Sequence, residues 1–365
     1  MDIGMLLVAQ NYHENVSDQE VFLREVEMGV NAEKWGFDTV WSAEHHFDDY
    51  SMLPDNLQIL TYIAAKTSKI KLGTAAVILP WNDPKRVVEK VAMLDMLSGG
   101  RVMYGMGRGL AKMEYEAFGI PMDEARERFV EATKLTLEGL RTGVVENPDG
   151  KYYKQSRAQI RPAPDPSYEW TRERLFGAAM SPDTIPIIAE LGLRMMTFVQ
   201  FPFEKHAEAI NQWRELYREK QGVEPPTPLV QDFVICHEDA DEARRLAHEH
   251  LSRYFLSVIK HYDFAGDHWR STKGYETYQV GADMIKEAGM EAAATGYVEA
   301  NIYGTPEQIV EKYAARRELA GDFSANAAFA FGGLPIDQAF KSAQLFGEKV
   351  VPELKKMTAK VPVSA

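Results

Sequence analysis

The sequence predicts a single closed (β/α)8 barrel of the TIM type, and three observations predict it. Short apolar segments alternate with amphipathic ones from end to end, the pattern of a parallel sheet with helical crossovers. Eight such pairs can be traced, and the glycine-rich turn that an open doubly wound sheet carries after its first strand is absent. At 365 residues the chain is long for one domain, but barrels of this kind reach that size as a unit, so 1–365 is read as one domain.

The elements follow in order. Residues 3–8 form the first strand, and Ser17-Asp18-Gln19-Glu20 reads as a capping box for a helix reaching Gly36. Residues 39–41 are the second strand. Pro54 opens a helix to about Thr67, residues 70–77 form the third strand, and Pro84 opens a helix to Leu97 that Gly99-Gly100 ends. On that helix Met93, Met96 and Leu97 read as a packed face. The fourth strand is 102–106, followed by a helix over 122–141. Residues 143–172, rich in proline, glycine and polar side chains, stand outside the repeat as an insertion. The fifth strand (175–179), a helix (182–191), the sixth strand (196–199) and an amphipathic helix (204–221) lead to Pro225-Pro226 and the seventh strand, 229–236. A helix over 239–258 follows. Residues 260–303 have no steady period and read as a second insertion with short helices, a candidate active-site lid. Thr305-Pro306-Glu307-Gln308 is a second capping box, 326–331 the eighth strand and 335–349 the last helix.

Composition narrows the function classes. Hydrophobic residues make up 45% and charged residues 26%, as in ordinary globular proteins. No apolar run approaches the roughly 18 to 20 residues needed to cross a bilayer. The first residues lack the basic segment and cleavage site of a secretory signal, so a cytoplasmic protein is expected. The one cysteine, Cys236, excludes an internal disulfide and a clustered-thiol metal site, and reads as a small buried strand residue. A net charge of −13 argues against nucleic acid and means that an anionic cofactor must bind through a few placed cations.

Three strand ends carry the chemistry, because loops leaving the carboxyl ends of barrel strands converge on one face. In Glu44-His45-His46-Phe47, neighbouring side chains on extended backbone point to opposite sides, so one histidine faces the barrel mouth. That weighs against a metal site, and no His-Glu-x-x-His occurs; a structural histidine pair is the alternative. Gly73-Thr74-Ala75-Ala76 is either a plain strand end or a floor whose small side chains let a flat ring lie against the backbone. Gly105-Met106-Gly107-Arg108-Gly109 lacks the spacing of a dinucleotide fingerprint, but Arg108 leaves the fourth strand at the mouth, where a phosphate is a natural partner. Arg126 could instead pair with Asp123 on its helix. Ser181-Pro182-Asp183-Thr184 reads as a helix start with serine at the cap, whose free amides suit an anion. Tyr12, Trp41, Trp81 and Phe198 lie near strand ends and either line an apolar pocket or belong to the core.

Together these motifs resemble the bacterial luciferase family of flavin-dependent monooxygenases, of the alkanal monooxygenase alpha chain type. The likeness is best over 73–80, 108–122 and 304–354, and least over 143–172 and 260–303, where substrate would be chosen. It implies a luciferase-like barrel, with His45 as catalytic base beside the reactive edge of a flavin. It also implies a cis peptide at Ala75-Ala76 under the isoalloxazine ring. Arg108, Arg126, the Met180 backbone, Ser181 and Thr184 would lie against the FMN phosphate, with no metal. The implied activity is that of a two-component monooxygenase. Reduced FMN from a separate NAD(P)H:flavin reductase would react with O2 and oxygenate a small organic substrate through a flavin 4a-hydroperoxide. An aldehyde, cyclic ketone, terpene or nitrogen heterocycle would serve as acceptor. A homodimer or related heterodimer, formed through the helices after the early strands, is implied as well, with no nucleic-acid or membrane partner.

Three positions depart from the family pattern. Met180 replaces a glutamate of the luciferase catalytic subunit, Gly107 replaces a reactive cysteine, and acidic Asp183 sits beside the expected phosphate. The alternatives are a deazaflavin-dependent hydride-transfer oxidoreductase, a non-catalytic flavin-binding subunit and a metal hydrolase on a barrel.

Overall fold

A computed structural model of the chain describes residues 1–264, 266 and 268–357, so 265, 267 and 358–365 of the expected domain lie outside the described residues. Eight parallel strands close into a barrel: β1 (Ile3–Leu7), β2 (Thr39–Ser42), β3 (Lys71–Thr74), β4 (Val102–Gly107), β5 (Leu175–Ala178), β6 (Arg194–Phe198), β7 (Leu229–Cys236) and β8 (Ser324–Ala328). Each pairs in parallel with the next, and β8 returns to β1 through Ile3 opposite Ala325 and Met5 opposite Ala327. The expected TIM-type fold is therefore present. The strands are buried on both faces, which explains why their sequences read as short continuous apolar runs rather than alternating ones.

Inside the barrel, packing depends on residues that lack side chains. Trp41 on β2 is buried, lies opposite Gly73 on β3, and meets Phe176 edge-to-face at 4.9 Å. A Cβ at Gly73 would come within 2.2 Å of the indole, and one at Gly4 within 2.7 Å. The two glycines thus make the slot that the tryptophan fills. Between β3 and β4 the hydroxyl of Thr74 takes over the ladder: it donates to the Gly105 carbonyl and accepts from the Gly105 amide, each at 2.8 Å. The outer face of β7 is tied to helix Pro306–Ala320 by buried Asp232, which accepts from Arg316 at 2.6 Å and from the Tyr313 hydroxyl at 3.2 Å. These links hold the strand ends that surround the site.

Several boundaries differ from the sequence reading. The second helix is Asn56–Ala64, capped by the Asp55 carboxylate rather than opened by Pro54. At Ser17 only the serine half of the capping box forms, whereas both halves form at Thr305. The eighth strand begins at Ser324 and ends at Ala328, because its register is set by β1 and β7. Insertion 143–172 contains an antiparallel hairpin, Val144–Asn147 with Gln155–Gln159, whose polar strands carry little apolar signal. Insertion 260–303 forms helices Thr277–Ala288 and Met290–Ala300, then a short strand, Ile302–Gly304, that pairs with β7. The last helix continues beyond Lys349 through a π turn, Phe346–Val350, into Val351–Lys356. Ser181 does not cap a helix: the helix is Ile185–Glu190, and Thr184 occupies the cap position. Met93, Met96 and Leu97 are also not a packed face; they are 47%, 40% and 64% exposed. Helical spacing reveals an apolar face but not what covers it.

No helix among the described residues is long and apolar enough to cross a membrane. Because a Cβ at Gly105 would lie 2.0 Å from the Thr74 carbonyl oxygen, a backbone atom that cannot swing aside, Gly105→Ala should lower unfolding stability by more than ~2 kcal/mol. Denaturant titration checks this, and an unchanged midpoint would contradict the packing described.

Candidate active site

The carboxyl ends of the strands open on a cavity of about 1100 Å3, part of it open to solvent, lined among others by His45, Ala75, Ala76, Arg108, Met180 and Thr184. All but two of the sequence-predicted site residues thus face one space. Arg126 and Ser181 stand just behind it, the first beside Arg108 at Gly274 and the second bonded to Thr184. Ala75-Ala76 is a cis peptide, as the resemblance implies. The floor is kept flat by small residues: a Cβ at Gly107 would press on Ile78 at 2.8 Å and on Ala76 at 3.1 Å. Glu44 fixes the turn beyond it, accepting from the Ile78 amide at 3.1 Å, the Trp81 indole at 2.8 Å and the Asn82 amide at 3.0 Å.

His45 and His46 turn to opposite sides, as extended backbone requires. His46 packs edge-on to Phe118 and lies 3.4 Å from Glu44. His45 lines the cavity, and its Nδ1 is 3.1 Å from Oε1 of Glu114, which also accepts the His46 amide at 2.8 Å. Burial pushes the Glu114 carboxyl up, but His45, His261 and the His46 amide outweigh it and hold the group below its usual range. An ionised carboxylate only accepts, so Nδ1 of His45 carries a proton, and in the neutral imidazole Nε2 is the nitrogen with the lone pair. Nε2 lies 3.3 Å from the hydroxyl of Tyr262, which burial keeps protonated and therefore able to donate to the neutral imidazole. The result is an imidazole with a fixed tautomer and a basic nitrogen at the cavity.

His261 closes the cluster from the end of helix Ala240–His261. It stacks on Tyr50 at 4.3 Å and turns Nδ1 to Asp48 at 3.2 Å. Burial and the neighbouring His45 lower its pKa to about 4, so it is neutral near pH 7. His45, Glu114 and His261 place three potential ligand atoms within 4.8 Å of one another. The adjacent histidines alone do not reveal this group, because Glu114 and His261 come from distant parts of the sequence.

The far end of the cavity is cationic. Arg108 is buried, its guanidinium 3.9 Å over the Tyr275 ring, and its Nη1 donates to the Gly274 carbonyl at 2.7 Å. Arg126 donates to the same carbonyl at 3.2 Å and pairs with Asp183 at 3.6 Å, not with Asp123, which instead accepts from the Lys273 amide. The Arg126 Nε is buried without a partner. Ser181 and Thr184 join hydroxyls at 3.0 Å, and the Met180 sulfur accepts the Phe198 amide at 3.2 Å. Two guanidinium groups, an unpaired N–H and two hydroxyls form a donor set that fits a phosphate, and the flat small-residue floor fits a planar ring.

Of the four aromatics singled out, Phe198 lines the cavity, Trp81 packs beside it on Tyr115 and Phe118, Trp41 fills the barrel and Tyr12 borders a separate groove. Sequence reasoning missed Glu114, His261 and Tyr262. No local signal marked the first, because Glu114 shares its short helix, Lys112–Ala117, with the charged Lys112 and Glu116.

Comparison with known proteins agrees with this fold. The alkanal monooxygenase alpha chain of Photorhabdus luminescens is 26% identical over 359 residues, covering 93% of this chain and 94% of that protein. The corresponding chain of Photobacterium leiognathi is 26% identical over 357 residues, with 93% and 95% covered. Among solved structures, monooxygenase RslO1 from Streptomyces bottropensis superposes with a TM-score of 0.74 at 24% identity, covering 97% of this chain and all of that one. The oxygenating constituent of 3,6-diketocamphane monooxygenase from Pseudomonas putida, in complex with FMN, gives 0.73 at 18% identity with 99% of each chain covered. An F420-dependent secondary alcohol dehydrogenase shares the fold at 0.70 and 18% identity, covering 97% and 98%. With the family's sequence model matched across residues 1–322, the chain belongs to the luciferase-like monooxygenases.

Proposed function

We propose that the protein is a two-component monooxygenase that takes reduced FMN from a separate NAD(P)H:flavin reductase and uses O2 to oxygenate a small organic substrate. The observation that carries this reading is the pairing, in one cavity, of an imidazole held by a buried carboxylate with the buried guanidinium of Arg108, beyond a flat small-residue floor. Bound there, the reduced flavin would supply the activation of oxygen. The chain's own residues supply the rest. Arg108 and Arg126 hold the anionic tail with Ser181, Thr184 and the Met180 backbone, and Ala75 and Ala76 support the ring face. His45 moves a proton at Nε2, while Glu114 holds its Nδ1–H. Tyr262, Tyr278 and the 260–303 segment exclude water from the reacting end.

We also infer a homodimer through the helix Pro84–Ser98, since Met93, Met96 and Leu97 leave an apolar strip exposed there. Leu97→Arg should convert the dimer to monomer in sedimentation velocity; an unchanged sedimentation coefficient would remove this assignment.

Two substitutions test the site. Arg108→Ala should weaken reduced FMN binding by about 10- to 100-fold, as loss of a charge-assisted hydrogen bond implies, while riboflavin, lacking the phosphate, changes less than twofold. Equal losses for the two flavins, or tighter binding of a reduced deazaflavin than of FMN, would overturn the reading. Glu114→Gln keeps the shape but removes the charge that fixes the imidazole. Turnover should fall about 10- to 100-fold with FMN affinity unchanged, and His45→Ala should abolish it. Full turnover in either variant counts against the assigned roles.

A further inference from the structure

Behind the His45 cavity lies a second chamber, about 730 Å3 with part open to solvent, between helices Ala240–His261 and Thr277–Ala288 and the segment after β6. Its walls are Phe201, Phe255, Ile259, Phe264 and Ile285. The two spaces share Met180, Gln200, Val258, Tyr278 and Tyr297, so they are contiguous. Their chemistry differs. The first is lined by Glu44, His45, Arg108 and Glu114, whereas none of the described residues lining the second is an aspartate, glutamate, lysine, arginine or histidine. One polar atom there is unused: the Thr277 hydroxyl is buried without a hydrogen-bond partner.

We propose that this chamber binds an uncharged, apolar organic molecule, aliphatic or aromatic, with at most one hydrogen-bonding substituent, which Thr277 meets. That this molecule is the body of the substrate, its reactive end reaching His45, rests on the oxygenase reading above. An apolar wall gains from covering hydrocarbon, while a fixed charge placed against it loses its hydration with no charged side chain in that wall to replace it. The chamber therefore selects against ionic substrates, and the charged residues are confined to the flavin side.

Gly281 provides the means of testing this. It lines the chamber from inside helix Thr277–Ala288, and a Cβ built there meets no atom within 4 Å, so larger residues can be introduced without a clash at the backbone. Calorimetric titration of the protein without flavin would use 1-naphthol and decan-1-ol as neutral probes and naphthalene-1-sulfonate as the charged one. Both neutral probes should bind, and the sulfonate at least tenfold more weakly than 1-naphthol. Gly281→Trp should weaken the neutral probes at least tenfold, and so should Phe201→Asp at the half-exposed rim, while Gly281→Ala stays within twofold of the parent. Equal affinity for the sulfonate, or undiminished binding of neutral probes in both the tryptophan and aspartate variants, would overturn the proposal. Reduced FMN titrated in parallel separates the two readings. If the probes bind and the variants block them but FMN does not bind, the chamber stands and the oxygenase reading falls. If FMN binds and no neutral probe does, the chamber alone falls.

Discussion

The carboxylate of Glu114 is 1% exposed, and its Oε1 is shared by the Nδ1–H of His45 and the amide of His46, with Nε2 of His261 at 3.8 Å. Those contacts join the loop after β2, the short helix Lys112–Ala117 after β4, and the helix Ala240–His261 after β7. A buried carboxylate is costly unless satisfied, so the three segments are obliged to meet around it. The direction of the His45 lone pair follows from where that negative charge sits, and the same charge adds to the burial that keeps Tyr262 protonated, whereas His261 is neutral because of its own burial and the neighbouring His45, against the pull of Glu114.

The barrel was legible because its strands are buried on both faces and its helices are punctuated by proline, glycine and capping residues at the right places. Arg108 could be read from its position alone: a cation at a strand end, facing inward, needs an anionic or carbonyl partner. What remained hidden was assembled over distance. Glu114 and His261 reach His45 from 69 and 216 residues away, and nothing in their local sequence states that they converge. Local signals also misled where several starts competed. Ser181-Pro182 has the composition of a helix opening, yet the helix forms only from Ile185, with the Ser181 hydroxyl engaged by Thr184. At Met93, Met96 and Leu97 periodicity marked an apolar face, but spacing does not state what packs against it, and the three side chains are exposed.

The division of the mouth follows from which elements supply each wall. The early strands contribute small residues and the charged groups, from Glu44 and His45 through Ala75, Ala76 and Arg108. The later helices contribute aromatic and aliphatic bulk. Met180, Gln200, Val258, Tyr278 and Tyr297 border both spaces, so the partition between them is built from the segments after β5 and β6 and from the helices that follow β7. A fold that keeps chemistry on one arc and shape selection on the other can change its ligand without disturbing its proton-handling groups.

The depth of Arg108 has a kinetic side. The chain carries a formal charge of −13, so an anion approaching from afar meets a repulsive field, while the attractive guanidinium is only 8% exposed and acts over a short range. Capture and retention are therefore governed by different terms. Dissolved electrolyte shields the outer field within about 8 Å at physiological concentration and leaves the enclosed contact nearly untouched. Added salt would thus hasten the arrival of an anionic guest while scarcely altering how long it stays, the reverse of a protein that gathers anions on a basic surface.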